Sequence, residues 1–181
     1  MVDTVIDKRP AEADATARLR DVIKRIHDAA DPMSEMVALE SALRHSRDGW
    51  RDARRLLVAP FVKEGKLAPA IAALEVLVTV YPARADERRL LASLFGRTEQ
   101  WDRAIAQADA AADIEPEAAA LHAARIQLRV QAGRTAEAAE VARSTMELAR
   151  REPGEAYAWM LAFVRNGDAA EAASTAAALD P

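Results

Sequence analysis

The chain has 181 residues and a formal net charge of -4, and 51% of its residues are apolar although only 4% are aromatic. Alanine is the commonest residue and only 6 glycines are present, which favours closely packed helices over a sheet or a large aromatic core. The lack of cysteine excludes disulfides, thiolate chemistry and cysteine-bound metals, and the mildly acidic charge argues against nucleic acid as a partner.

The N-terminal sequence MVDTVIDKRPAEADA is charged throughout, unlike a secretory signal, which needs an uninterrupted apolar core. No stretch of the chain approaches the ~18 consecutive uncharged apolar residues of a transmembrane helix. We therefore expect a cytoplasmic protein without membrane insertion. Residues 1–16 are predicted to form a flexible tail that leads into the first helix.

Residues 17–50 predict two amphipathic helices, separated near Asp31-Pro32. The segment lacks the markers that recur further along the chain. We interpret it as a degenerate or capping helix pair, because a terminal unit of a repeat array has one face toward water. Its apolar positions at helical spacing are Leu19, Val22, Ile23 and Ile26, and then Met33, Met36, Val37 and Leu43.

From residue 51 onward, rare residues recur at a spacing of 34 in several phases that agree with one another. The recurring residues are Phe61, Phe95 and Phe163; Gly65, Gly133 and Gly167; Ala70, Ala104, Ala138 and Ala172; and Pro82 and Pro116. The period predicts repeats at 51–84, 85–118 and 119–152 and a truncated last repeat at 153–181. Residues 17–181 would then form a single array.

Each repeat is predicted to contain a helix, a tight turn and a second helix. In the clearest repeat the helices span Ala85 to Arg97 and Trp101 to Ile114, and the second ends before Pro116 because residues preceding proline disfavour the α conformation. Small alanines at fixed positions let the paired helices approach closely. The larger aromatic side chain of the first helix, Phe95 here, is expected to fill the gap between neighbouring repeats.

These markers resemble the tetratricopeptide repeat (TPR) family, as a bacterial TPR-type helical repeat domain, over roughly 130 residues. The resemblance implies an all-α, right-handed α-solenoid of antiparallel helix pairs, with about ten helices and a concave face. It also implies a non-catalytic scaffold for protein–protein interaction that has no cofactor and no metal. The partner would be a protein or a peptide.

Two positions depart from this pattern inside the repeats. Glu99 stands where glycine is usual, and Arg129 stands at the aromatic phase of the third repeat. Either the Arg129 side chain snorkels past the packing layer, or the helix is shifted by one residue so that Leu128 packs instead.

Other departures concern helix geometry. Pro60 lies inside the first helix of 51–84 and predicts a bend or a broken turn. Arg150 replaces the closing proline and Pro153 follows three residues later, so a helix from Thr135 to Arg151 would be about one turn longer than usual. The last repeat stops at Asp180-Pro181 without a polar capping helix, which predicts an exposed alanine-rich surface.

The family resemblance places partner-binding residues on the concave face of the first helix of each repeat, and this also puts Gly96 and Ala123 there. The face has a basic bias, which suits the carboxylates of an acidic peptide or a chain terminus, although exposed arginines can equally be simply solvated. Ala59 and Ser93 replace the asparagines of the family's carboxylate clamp for chaperone tails, so that activity is not supported. The candidates are Arg55, Lys63, Arg89, Ser93, Arg97, Gln127, Gln131, Tyr157 and Arg165.

The sequence leaves two other function classes open. The unfinished last repeat suggests a homo-oligomer, or docking onto a covalently linked downstream domain. TPR arrays resembling this one often precede bacterial enzymes such as polysaccharide-assembly glycosyltransferases. An enzyme is the weakest class, because the sequence has no glycine-rich phosphate loop and no GxSxG, and His27, His45 and His122 lack ligand spacing.

Three tryptophans are expected to pack between helices rather than to bind a ligand. Trp101 falls at the aromatic phase of the family pattern. Trp50 and Trp159 do not, which leaves an exposed recognition role open for both.

Overall fold

The computed structural model describes residues 58–177 together with Lys24, which is helical and exposed. Within residues 58–177 nine α-helices and one short 3-10 helix follow one another, and no strand occurs among them. The predicted all-α class is therefore confirmed for this part of the chain. The tail at 1–16, the rest of the predicted pair at 17–50, and Arg55 lie outside the described residues. The chain divides into two compact units after Pro82.

The described part of the first unit is one helix pair, α1 (Ala59–Lys63) and α2 (Leu67–Val80), whose helices pack against each other. Phe61 of α1 is buried. Pro60 is the second residue of α1, and Val58 directly before α1 has the wider hydrogen-bonding pattern of a π-helix. Such a change of helix type is what a proline in a helix is expected to cause, since it removes a hydrogen bond.

The second unit continues the same organisation with seven helices. Consecutive helices contact each other at α3–α4, α4–α5, α5–α6 and α8–α9, and α5 also contacts both α3 and α8. The hairpins therefore stack in sequence order within this unit, with their first helices side by side. The helices are α3 (Ala85–Arg97), α4 (Trp101–Ile114), α5 (Ala119–Gln131), α6 (Thr135–Ser144), α7 (Met146–Arg151), α8 (Tyr157–Asn166) and α9 (Ala169–Ala177), with a 3-10 helix at Pro153–Glu155.

The turn inside each hairpin repeats the same backbone hydrogen bond every 34 residues. A backbone N–H donates to the carbonyl five residues earlier at 2.8–2.9 Å, and the residue before the donor is in the left-handed conformation, which defines a Schellman turn. The donor–acceptor pairs are Lys66–Phe61, Gln100–Phe95, Arg134–Arg129 and Asp168–Phe163. The left-handed residues are Gly65, Glu99, Gly133 and Gly167, with φ of 73°, 58°, 75° and 85°.

Glu99 is the one non-glycine residue with positive φ among the described residues. A side chain in this conformation costs roughly 1–2 kcal/mol. Local side-chain hydrogen bonds occur in this turn, where Glu99 stands in place of glycine. The Thr98 hydroxyl donates to the Phe95 carbonyl at 3.1 Å and accepts a hydrogen bond from Gln100 Nε2 at 2.9 Å. These contacts hold the turn where glycine is missing.

The predicted helix from Thr135 to Arg151 is interrupted, because α6 ends at Ser144 and α7 begins at Met146. At the break the Thr145 hydroxyl donates to the Val141 carbonyl at 2.8 Å and accepts a hydrogen bond from Trp159 Nε1 at 3.0 Å. Hydroxyls that bond back to the preceding turn bend helices, and a buried indole N–H needs an acceptor. The expectation of one longer helix was therefore wrong.

Trp159 itself is fully buried, at 0% exposure. The exposed recognition role that the sequence left open is consequently wrong for Trp159. Trp50 lies outside the described residues.

The four alanines of one repeat phase lie at helix contacts. Ala70, Ala104 and Ala138 are completely buried, and Ala172 is 8% exposed. Because these positions are buried in well-packed helix pairs, we expect little room for a larger side chain.

We expect Glu99→Gly to raise the free energy of unfolding by about 1 kcal/mol, because it relieves the left-handed strain. The exposed Glu99 side chain makes no ion pair or hydrogen bond within residues 58–177, so no such interaction is lost. The measurement is urea unfolding followed by circular dichroism. Gly133→Ala is the matched control: a Cβ at Gly133 meets nothing within 4 Å, so its expected loss of about 1 kcal/mol is purely conformational. Unchanged stability in both variants would contradict the turn argument.

A second prediction concerns the close helix contact. Ala104→Phe should lower the free energy of unfolding by ~1–3 kcal/mol, because the added ring overpacks the interface of α3 and α4. Ala106→Phe, two residues along on the exposed side of α4, should change it by less than about 0.5 kcal/mol. Equal effects at the two positions, read from thermal melts, would show that Ala104 does not mark a close contact.

Candidate protein-interaction groove

A groove with a volume of about 320 Å³ lies between the first helices α3 and α5 of neighbouring repeats. The residues that α3 contributes are four apart. On α5, Ala124, Gln127 and Gln131 are separated by three and four residues, with Leu128 next to Gln127, so on each helix the lining residues lie on one face. The lining residues are Arg89, Ser93 and Arg97 from α3 and Ala124, Gln127, Leu128 and Gln131 from α5.

The floor of the groove depends on the missing side chain of Gly96. A Cβ at this position would lie 2.8 Å from Leu128 Cδ2, so a larger residue would require the end of the Leu128 side chain to shift. The sequence placed Gly96 and Ala123 on the concave surface. In the structure Gly96 is half-buried at this contact and Ala123 is buried, while the neighbouring Ala124 lines the groove.

The rim of the groove presents hydrogen-bond donors. Arg97, Gln127 and Gln131 are exposed, and Arg97 makes no ion pair or hydrogen bond with any residue between 58 and 177. Arg89 lies 3.5 Å from Asp86, but both side chains are at least half exposed, and such a pair contributes little. None of the described residues that line the groove is a carboxylate, so the rim offers guanidinium and amide groups to an anionic ligand.

The structure brings five of the nine sequence-predicted binding residues together at this groove: Arg89, Ser93, Arg97, Gln127 and Gln131. Tyr157 and Arg165 are exposed on α8, the next first helix, which packs against α5. Lys63 is exposed at the end of α1 in the first unit.

A different face of α5 carries an ion cluster around a buried arginine, which sequence reasoning missed. Arg129, only 8% exposed, donates from Nη2 to Asp109 Oδ2 at 2.8 Å, and Arg125 donates from Nε to Asp109 Oδ1 at 2.6 Å. Arg129 Nε also lies 3.8 Å from Glu137 Oε2. The guanidinium therefore stays in the interior and does not snorkel outward. The sequence analysis offered either an outward-pointing Arg129 or a packed Leu128 in its place. In the structure both side chains are buried.

The pKa of Asp109 lies below its ordinary value. Burial acts to raise this pKa, but the hydrogen bonds and positive charges of Arg129 and Arg125 together outweigh burial. Because the folded-state pKa is below the unfolded one, the cluster stabilises the fold above the unfolded pKa. That contribution is lost as the pH falls through the folded pKa.

A second cavity of about 380 Å³ lies at the turns that precede α4 and α6. Its basic groups already have partners: Arg134 forms an ion pair with Asp102, and Arg103 donates to Gln100 Oε1 at 2.7 Å. We consider it a weaker candidate for ligand binding than the groove for that reason.

Within residues 58–177 no group of three or more His, Cys, Asp or Glu side chains is placed to hold a metal ion. His122 is buried, and its Nε2 lies 3.0 Å from the Pro116 carbonyl oxygen. None of the helices in this part of the chain combines the length and apolarity that a membrane crossing needs.

No protein-family model and no curated protein matches this chain. Solved structures do match it. MamA from Desulfovibrio magneticus RS-1 (residues 41 to the end) is 14% identical with a TM-score of 0.62, covering 93% of this chain and 94% of that one. A further MamA crystal structure is 15% identical with a TM-score of 0.63, covering 92% and 91%. A tetratricopeptide repeat protein from Parabacteroides merdae is 15% identical with a TM-score of 0.62, covering 90% and 66%. The chain therefore has a TPR-type helical repeat fold.

We expect Asp109→Asn to lower the free energy of unfolding by ~2–3 kcal/mol at pH 7, because it leaves the Arg129 guanidinium inside without its carboxylate. The loss is smaller than for a fully buried pair since Asp109 is 32% exposed. Urea unfolding of both proteins at several pH values is the measurement. The difference between them should shrink as the pH falls through the folded pKa of Asp109, where the wild-type carboxyl becomes protonated.

The control for this prediction is the same substitution in the Arg129→Phe background. In this background position 129 carries an aromatic residue, as the equivalent positions Phe95 and Phe163 do. Asp109 keeps Arg125 as its partner. Asp109→Asn should cost clearly less in this background, because no buried guanidinium is stranded. The same cost in both backgrounds would contradict the proposed coupling.

Proposed function

We propose that this chain is a non-catalytic scaffold for protein–protein interaction that holds an acidic segment of a partner protein or peptide in the groove between α3 and α5. The observation that carries the proposal is the exposed Arg97 guanidinium, which has no partner among the described residues and lies on a rim with Arg89, Gln127 and Gln131. Among the described residues that line the groove none is a carboxylate, and the nearby Asp86 carboxylate pairs only with Arg89 in an exposed, weak ion pair.

The chemistry of the rim favours a carboxylate ligand. Guanidinium groups bind carboxylates through two parallel hydrogen bonds, and glutamine amides can donate to the same oxygens or to a peptide backbone. Each exposed ion pair contributes only ~0–1 kcal/mol, so several contacts must act together. We therefore expect association that weakens with ionic strength.

The fold supports binding as the kind of function. Stacked helix pairs present an extended surface made of one helix face per repeat, and the apolar floor at Leu128 and Ala124 gives side chains of a ligand a surface to contact. The similarity to MamA and to a tetratricopeptide repeat protein supports the fold on which this proposal rests.

A second candidate is self-association or docking onto a linked domain, for example as the N-terminal repeat domain of a larger bacterial enzyme. One observation favours it: α9 exposes the small apolar residues Ala169, Ala170, Ala173, Ala176 and Ala177. Light scattering over a range of protein concentrations distinguishes the two candidates, because a monomer at every concentration argues against a homo-oligomer.

The groove is tested by Arg89→Glu combined with Arg97→Glu. Both positions are exposed, so folding should be unaffected, while affinity for acidic peptides should fall at least tenfold because the rim becomes repulsive. The measurement is fluorescence anisotropy with labelled acidic peptides at two salt concentrations.

The matched control is Arg150→Glu combined with Arg151→Glu, which makes the same change of net charge on α7, away from the groove. It should bind as the wild type does. Equal weakening by both double variants would mean that only overall charge matters. Undiminished binding by the groove variant would exclude this face as the site.

A further inference from the structure

The face that carries the groove continues onto α8 with a different chemistry. Tyr157 and Val164 are 59% and 56% exposed and are the large apolar side chains most exposed among residues 58–177. Leu161, half-buried, lies between them. Their spacing of four and then three residues puts all three side chains on one face of α8. Single exposed apolar residues are common, but three aligned on one helix form a patch.

The repeat register places this patch next to the groove. Residues 34 apart occupy equivalent positions on α3, α5 and α8, and α5 contacts both of the other helices. One row across the three helices is therefore Ser93, Gln127 and Leu161, and a second row is Arg97, Gln131 and Arg165. The first row changes from polar to apolar at α8, whereas the second row presents donors throughout.

The two ends of the second row are guanidinium groups that have no partner within residues 58–177. Arg165, like Arg97, is exposed and makes no ion pair or hydrogen bond with residues 58–177. Neighbouring helix axes lie about 8–10 Å apart, so two steps of the array separate the guanidinium groups by roughly 16–20 Å. An extended chain rises about 3.3 Å per residue and covers that distance in about six residues.

We infer that the occupant of this face is an extended, acidic and amphipathic segment of a partner protein. Carboxylates about six residues apart bind Arg97 and Arg165, and an aliphatic or aromatic side chain near the second carboxylate covers Tyr157, Leu161 and Val164. The inference rests on the proposed function of the groove and adds a second contact of different chemistry. Charge complementarity selects the acidic residues, and the apolar patch on the same face selects the neighbouring side chain.

The two contacts have different physical signatures. Binding between exposed charges is screened by salt, whereas burial of apolar surface is not. A segment that uses both contacts should therefore keep a salt-resistant part of its affinity. A segment that has only the carboxylates should lose nearly all of its affinity at high salt.

Three labelled peptides of about eight residues test this. The first has two glutamates six residues apart in a serine-glycine background. The second adds a leucine and a tyrosine beside the second glutamate, and the third keeps these two residues but replaces both glutamates by serine. For the wild-type protein at low salt, we expect the second peptide to bind at least tenfold more tightly than either of the others. At high salt its advantage over the first peptide should remain, whereas its advantage over the third should shrink because the carboxylate contacts are screened.

The discriminating variant is Tyr157→Ala combined with Val164→Ser, whose positions are exposed and therefore tolerant of substitution. It should bind the first peptide as the wild type does and lose the advantage of the second. Wild-type affinity for the second peptide would overturn the α8 contact while leaving the groove intact. Binding of the third peptide as tightly as the second at low salt would overturn the requirement for carboxylates.

Failure of the proposed function gives different results. If no peptide binds, or if Arg89→Glu with Arg97→Glu leaves binding of all three unchanged, the groove itself is excluded and the inference falls with it. If light scattering shows a dimer that Tyr157→Ala with Val164→Ser dissociates, the patch on α8 is covered by a second copy of this chain. That result would overturn the peptide proposal.

Discussion

The structure depends on one backbone hydrogen bond that recurs every 34 residues. The N–H after a left-handed residue donates to the carbonyl of the buried residue near the end of the preceding helix, a position that we call the interior phase and that holds Phe61, Phe95, Arg129 and Phe163. This bond closes the first helix of each pair and sets where the second begins, so it fixes the register of the two helices. A fixed register places the small alanines of the second helix, such as Ala104 and Ala138, at buried positions in every pair. The same register carries side chains of successive first helices into rows.

The interior phase accepts very different side chains as long as the backbone geometry of the repeat is kept. Phe61, Phe95 and Phe163 are buried there, and Arg129 takes the same place in the third repeat. Burying a guanidinium is costly unless it is paired and hydrogen-bonded. Asp109 of the preceding second helix provides the pairing, and its lowered pKa keeps it charged. The Arg129 backbone still accepts the turn hydrogen bond at 2.8 Å, so an ion pair has replaced a ring without changing the backbone.

The features that the sequence predicted are those set by local periodicity. Both ends of α3 and α4 were predicted, because the apolar spacing, the turn and the residues before Pro116 are all local. The break at Thr145 was missed because it depends on the indole of Trp159 in the following hairpin. The partner of Arg129 was missed for the same reason, since the residue type at position 129 does not reveal which of several acidic side chains faces it. Gly96 was read as surface because its contact with Leu128 requires the neighbouring repeat.

Positions inside the repeats serve packing, whereas positions on the groove face are available for recognition. The interior phases are constrained by the turn hydrogen bond, by the close helix contacts and by the need to satisfy any buried charge. The phases of Arg89, Ser93 and Arg97 face the groove and take part in none of these constraints, so their chemistry is free to differ between repeats. It does differ: along one row the side chains run from Ser93 through Gln127 to Leu161 while the backbone stays equivalent. A repeat fold therefore specifies where a partner can be held, and the unconstrained phases decide which chemistry holds it.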